Sequence, residues 1–243
     1  QYLHVPERIF FHLVESGEEE FPFAFLATYA TAGEDGKVKH VPLKYALTEY
    51  GNEREKLLAL LSCLNHAAEV SELIAGFMER GEMFHPLRLT SEEAYTFLKD
   101  IELIEGTGIL CRIPNWWKKK SAMVSMSVNL GEEKPSMLGF DTLVSVQPKL
   151  MADGMELTNE DIRMLLAQTE GLALLKGKWI EVDHKRLQEL LAQMEEVPKE
   201  VTLLDAMQME LGNPGGKADV GPIISNGKWL SGLLADLRKP DKI

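Results

Sequence analysis

LTNEDIRMLLAQTEGLALLKGKWIEVD, residues 157–183, contains a capped helix, a glycine stop and two short strands joined by a tight turn. Thr158, followed three residues later by Asp161, supplies an N-terminal cap with an acidic partner. The unpaired N–H groups of a first helical turn favour an oxygen acceptor and negative charge there. Ile162, Leu165, Leu166 and Thr169 recur at helical spacing on one face, and Gly171 is expected to stop the helix. Residues 172–175 and 179–182 are strand-like, with Trp179 opening the second strand and Lys176-Gly177-Lys178 as the turn. No residue of this stretch is spaced for chemistry.

Toward the N-terminal side, residues 122–130 and 143–151 alternate apolar and polar side chains, the period of a half-buried strand. Asp153-Gly154 is a hairpin signal, and Pro148 calls for an edge position or a bulge. Beyond the central stretch, Asp183 suits the cap of a helix to Met194 and Thr202 the cap of another to Leu211, and residues 228–237 form a last amphipathic helix. The first hundred residues read as mainly helical. Residues 6–14 make an amphipathic start, 15–20 an acidic loop, and 21–30 an apolar run that suits a buried helix or a strand. Leu57, Leu61, Leu64, Ala68, Ile74 and Phe77 form an apolar stripe through 53–80, ended by Gly81. Thr90 and Glu93 form a capping box for a helix that turns Ala94, Phe97, Leu98 and Ile101 inward. The expected class is α+β: a helical N-terminal half, then a small antiparallel sheet with packed helices. Its expected divisions are a mainly helical 1–108, an α+β region 109–212 with antiparallel hairpins, a Gly/Pro linker 213–226 and a C-terminal helix in 227–243.

Charge is uneven along the 243 residues, which carry −12 overall. Residues 1–110 hold 9 basic and 19 acidic side chains, whereas 112–149 hold 6 basic and 3 acidic. An acidic first half repels phosphate backbones, so a nucleic-acid contact is expected only in the middle. Cys63 and Cys111 sit in apolar surroundings and read as free buried thiols of an intracellular protein. No apolar run of membrane-spanning length and no signal peptide is visible, so no membrane partner is expected. Both ends read as cut from a longer polypeptide.

Catalytic and metal signatures are thin. The histidines (His4, His12, His40, His66, His85, His184) are scattered, without paired metal-ligand spacing. His66 in its apolar helix reads as a core or boundary residue, and Cys63 with His66 offers two ligands where tetrahedral zinc needs four. A phosphate-cradling loop needs two glycines four residues apart, then Lys and Ser/Thr. Gly171 and Gly177 enclose five residues, and Trp179 stands where the hydroxyl should be, so this run reads as a hairpin. Gly212-Asn213-Pro214-Gly215-Gly216-Lys217 fails on spacing too and reads as linker. No acid–base or nucleophile constellation appears, so neither a catalytic residue nor a bound cofactor is expected within these residues.

Arg112 and the block Trp116-Trp117-Lys118-Lys119-Lys120 differ from the rest. Aromatic faces beside ammonium groups are what a nucleic-acid contact needs, with stacking from Trp and phosphate pairing from Lys. The competing reading makes the tryptophans a core anchor and the lysines a solvated exit.

Several ordered blocks together resemble one family. Phe21-Pro22-Phe23-Ala24-Phe25-Leu26-Ala27-Thr28-Tyr29, His40-Val41-Pro42-Leu43, the run PLRLTSEEAYTFL at 86–98, Gly108-Ile109-Leu110-Cys111-Arg112-Ile113-Pro114 with Trp116-Trp117, residues 157–183, and Val201-Thr202-Leu203-Leu204-Asp205-Ala206 resemble the region preceding the motor core of bacterial SWI/SNF-type helicase-like ATPases. The resemblance implies a non-catalytic accessory domain of a DNA-dependent ATPase in the cytoplasm or at the nucleoid. It implies further that ATP and magnesium are used by a core elsewhere in the polypeptide, and that this core and, through the parent, DNA are the partners. A protein-interaction module with the acidic front as its partner face is the alternative.

Overall fold

The computed structural model describes residues 8–132, 139–211 and 223–238, and the chain divides into two compact units, Gln1–Lys120 and Ser121–Ile243. The first unit is built from β1 (Arg8–Glu15), β2 (Phe23–Ala32), β3 (Val38–Pro42), α1 (Lys44–Glu49), α2 (Arg54–Val70), α3 (Glu72–Glu79), a 3-10 turn (Glu82–Phe84), β4 (Leu87–Leu89), α4 (Ser91–Glu105), β5 (Leu110–Arg112) and α5 (Asn115–Lys118). Its sheet runs β3-β2-β1-β5, with β4 also paired to β2. The α+β class holds and helix exceeds strand before residue 109; within that half, the expected amphipathic start at 6–14 is corrected to strand β1, and the 21–30 run takes the strand alternative as β2. The reason lies in β1: Ile9, Phe11 and Leu13 are buried while Phe10 and His12 are half-buried, a period of two that a helix cannot satisfy. β2 behaves alike, burying Phe23, Phe25, Ala27 and Tyr29 on the same side.

Helices α3 and α4 pack on the face that carries Phe11 and Phe25, opposite the half-buried Phe10, His12 and His40. Phe97 of α4 lies 6.3 Å from Phe11 and 5.3 Å from Phe25, while Phe77 of α3 lies 5.5 Å from Phe25. Thr90 caps α4 in a reciprocal box with Glu93, and Ala94, Phe97, Leu98 and Ile101 point inward as expected. The helical stripe of 53–80 is broken at Ser71, whose backbone is extended. Ser71 Oγ accepts from Ile74 N–H at 3.4 Å and donates to Asp100 at 2.9 Å, so one hydroxyl ends α2 and starts α3. β5 pairs parallel with β1, which places residues after 108 in the first unit.

The second unit contains β6 (Ser125–Leu130), β7 (Leu143–Ala152), β8 (Met155–Glu156), α6 (Asn159–Ala167), β9 (Gly171–Leu175), β10 (Lys178–Val182), α7 (His184–Glu196), β11 (Glu200–Thr202), α8 (Leu203–Leu211), β12 (Ile223–Asn226) and α9 (Lys228–Leu237). The capping box of Thr158 and Asp161 is present, Asp183 caps α7, and Thr202 Oγ1 accepts from Asp205 N–H at 3.2 Å. α6 ends at Ala167, before Gly171, which instead opens β9 with φ 139°. Lys176 and Gly177 take φ 49° and 78°, the left-handed pair that lets two residues reverse a twisted hairpin, and β10 already begins at Lys178. Asp153 and Gly154 repeat this between β7 and β8. Pro148 pairs across to Val128 and lies between the parts of β7 joined to β11 and β8, where a missing N–H costs no ladder bond.

The larger sheet runs β11-β7-β6-β12; β6–β7 and β7–β11 pair antiparallel as expected, and β12 adds to β6 in parallel. The Gly/Pro linker expected at 213–226, including the run from Gly212, falls outside the described residues except for β12 itself. α9 matches the expected final helix and closes the core over Leu130, Val144 and Leu203 with Leu230 and Leu234. Gly131 makes this possible: its φ is 67°, and a Cβ there would lie 2.8 Å from Leu230 Cβ.

Gly131→Ala is therefore expected to destabilise the second unit by about 2 kcal/mol, combining left-handed strain with overpacking. Gly232→Ala, on α9 with open space around it, is expected to be neutral or to stabilise by up to about 1 kcal/mol. Thermal melts of the two variants check the pair.

Candidate nucleic-acid interface

β5 delivers Arg112 to the sheet, and Pro114 then turns the chain into the four residues of α5. Pro114 O accepts from both Trp117 N–H and Lys118 N–H at 3.2 Å, and Trp117 O accepts from Lys120 N–H at 3.0 Å. Lys120 takes φ 57°. This tight turn spreads Lys118, Lys119 and Lys120 into solvent, all three exposed at the C-terminal end of α5, where cations complement the helix dipole. Both tryptophans turn back toward the unit. Trp116 lies 6.1 Å from the buried Phe23 ring, and Trp117 meets Tyr95 of α4 edge-on at 6.1 Å. Each is half-buried. Their rings thus brace the turn that carries the lysines.

Arg112 parts from the block it adjoins in sequence. Phe23 belongs to the helix-covered face of the sheet, whereas Arg112 pairs with His12 on the open face and holds its guanidinium 5.2 Å over the Phe10 ring. His12 and His40 approach edge-on at 5.5 Å, and His40 meets Phe10 edge-on at 4.7 Å. Thr28 Oγ1 lies 2.8 Å from His12 Nε2 and 3.4 Å from His40 Nδ1, bridging both imidazoles. Burial pushes the His12 pKa down, and the neighbouring His40 and Arg112 charges push it further; burial and then Arg112 lower that of His40. Reading the histidines as scattered missed this cluster. Recognising period two in β1 and β3 would have put Phe10, His12 and His40 on one face.

The other sequence candidates separate in space. His66 is exposed on α2 instead of in the core, and Cys63 Sγ donates toward Thr107 O at 3.8 Å. Burial, then Glu105, pushes the half-buried Cys111 thiol up to about 12, an unreactive thiol at neutral pH. Among the described residues no three His, Cys, Asp or Glu side chains are gathered to hold a metal. The glycine run from Gly171 fits no phosphate: its backbone is engaged in the β9–β10 ladder. Lys176 Nζ lies 3.3 Å from Asp161, and Lys178 Nζ donates to Asp153 O at 2.9 Å. The acidic front is exposed, with Glu18 3.5 Å from Arg88.

The histidine shifts set a pH dependence. A histidine whose folded pKa lies below its ordinary 6.5 takes up protons more readily when unfolded. It contributes stability that is complete above 6.5 and lost as pH falls through that value toward the folded pKa. The Tm of the first unit is expected to drop on acidification below 6.5, and His12→Gln to make the drop shallower. Melts across pH on both proteins check this.

A family model described as "SNF2 Helicase protein" matches residues 82–211. It encloses four of the resembling blocks, from the run at 86–98 to Val201–Ala206, while those at 21–29 and 40–43 precede it. The chain is 25% identical over 158 residues to a Bacillus subtilis protein named "Putative ATP-dependent helicase/translocase YwqA", covering 62% of this chain and 17% of that protein's length. No solved structure matches. With over half of its 243 residues aligned to the family model, the chain belongs to the SNF2 helicase family so described.

Proposed function

We propose that this chain is a non-catalytic accessory region of a SNF2-type DNA-dependent ATPase, which docks on the motor and helps present DNA to it. The observation that carries this reading is the family match over a region whose one phosphate-loop-like run folds as a β-hairpin with both lysines engaged. ATP and magnesium belong in this reading to a motor core outside these residues, and the protein works in the cytoplasm or at the nucleoid. The relative of which this chain matches 17% carries "ATP-dependent helicase/translocase" in its name, in keeping with a chain that is part of a larger machine. DNA is met by Lys118, Lys119 and Lys120, held out on α5, while Trp116 and Trp117 set the turn; Arg112, over the Phe10 ring, stands apart from this contact. The three lysines stand in a stretch with a local excess of positive charge, opposite in sign to the acidic front.

Purified chain is expected to turn over no ATP; turnover lost on Lys178→Ala would contradict the reading. Three lysines on three phosphates imply a slope of log K against log salt of about −2 to −3. Exchanging all three for Gln is expected to flatten that slope for duplex DNA while leaving the Tm unchanged, because exposed charges contribute little stability. Trp116→Ala, which empties the contact with Phe23, is expected to lower the Tm by several degrees. Salt titrations paired with melts measure both, and binding undiminished in the lysine variant places the contact elsewhere.

A further inference from the structure

The open face of the first unit's sheet is unlike the rest of this acidic chain. Register places His12 beside Arg112 on one side and Leu26 on the other, Phe10 beside Thr28, and Ala30 beside His40. Small side chains at Thr28 and Ala30 floor the area, and the Phe10, His12 and His40 rings stand around it at 4.7–6.2 Å from one another. Thr28 occupies one nitrogen of each imidazole, which leaves His12 Nδ1 and His40 Nε2 without a hydrogen-bond partner among the described residues. Arg112 likewise has neither an ion pair nor a hydrogen bond there; the Phe10 ring is what holds it. The other charged groups on this face are Arg8 on β1 and, at the far end beside Ala24, Arg88, which already meets Glu18. β2, β3 and β5 place no carboxylate on this face within their paired registers. A cation with no ion pair among the described residues, beside two imidazoles with open nitrogens, is a site suited to an anion.

We propose that this face binds a phosphate group of single-stranded nucleic acid, with Arg112, His12 and His40 as donors and the Phe10 ring cluster as the platform for an adjoining base. A phosphate oxygen accepts from guanidinium and imidazole N–H groups in charge-assisted bonds. The half-buried rings argue for an unpaired strand, whose exposed bases can stack on aromatic side chains, whereas a duplex keeps its bases stacked inside. This site depends on the nucleic-acid reading given above and gives it a substrate class, with duplex left to the α5 lysines and the unpaired strand to the sheet. The histidines also make binding proton-linked, because an anion favours the charged imidazole. Lysines do not titrate in that range.

The test is fluorescence anisotropy with the 243-residue chain at low salt. The probes are a short mixed-sequence single strand and its duplex, with inorganic phosphate as competitor. The double variant His40→Gln, Arg112→Gln is expected to weaken single-strand binding about tenfold or more, from two lost charge-assisted contacts, and to leave duplex binding within about twofold. Wild-type affinity for the single strand is expected to rise as pH falls below 6.5, and the double variant to lose that rise. Melts establish that the variant is folded, and Arg112→Lys is expected to recover part of the affinity if the first substitution pair perturbs the sheet. Single-strand binding unchanged in the double variant overturns the site, as does phosphate binding by a chain that ignores the strand. Loss of single-strand binding only in the triple-lysine variant overturns the sheet site and leaves the lysine reading standing. No binding to either probe overturns both.

Discussion

The contact between β1 and the helices under it governs the first unit. Phe11 lies 5.2 Å from Phe25, and both rings meet Phe97 of α4, so one aromatic knot ties two strands to the helix that supports them. Burying rings of this size outweighs the helix propensity of the flanking residues. Once Phe11 points inward, strand alternation leaves no choice for its neighbours. Phe10 and His12 must face outward, and β5, docked parallel on β1, must carry Arg112 to the same outward face. A packing constraint thus creates a cationic, ring-bearing surface without any further instruction. The same knot gives Trp116 its partner, because Phe23 belongs to the buried set, and so fixes where the α5 lysines emerge.

The second unit was largely legible from the sequence because its signals are local. Thr158 with Asp161, Asp183 and Thr202 announce helix starts within four residues of the groups they bond. Lys176-Gly177 and Asp153-Gly154 announce turns through residues that accept positive φ. The parallel partner of β6 was not legible, since β12 lies far along the chain and no local pattern encodes that meeting. The strand at Arg8–Glu15 was not legible for the same reason. β1 gains its strand character from β2 and, about a hundred residues later, β5, and a single eight-residue run offers little by which to tell two periods apart.

The candidate site shows the same division. The exposure of Lys118, Lys119 and Lys120 could be read directly from a charged run after an aromatic pair. Arg112, grouped with them by proximity in sequence, belongs to another surface, because one strand residue on the wrong parity is carried to the opposite side of the sheet. The His12–Thr28–His40 cluster needed three strands and one hydroxyl to come together, and its histidines are separated by the whole of β2.

Our central proposal is that this chain serves a motor located elsewhere in the polypeptide. The most direct measurement is the DNA dependence of ATP hydrolysis by the full-length protein with and without these residues. Hydrolysis that survives the deletion, with a shifted DNA concentration for half-maximal rate, is the result the account predicts. Loss of hydrolysis at saturating DNA in the deletion, traced to a residue of this chain by point substitution, would contradict it, as would a DNA dependence that does not move at all.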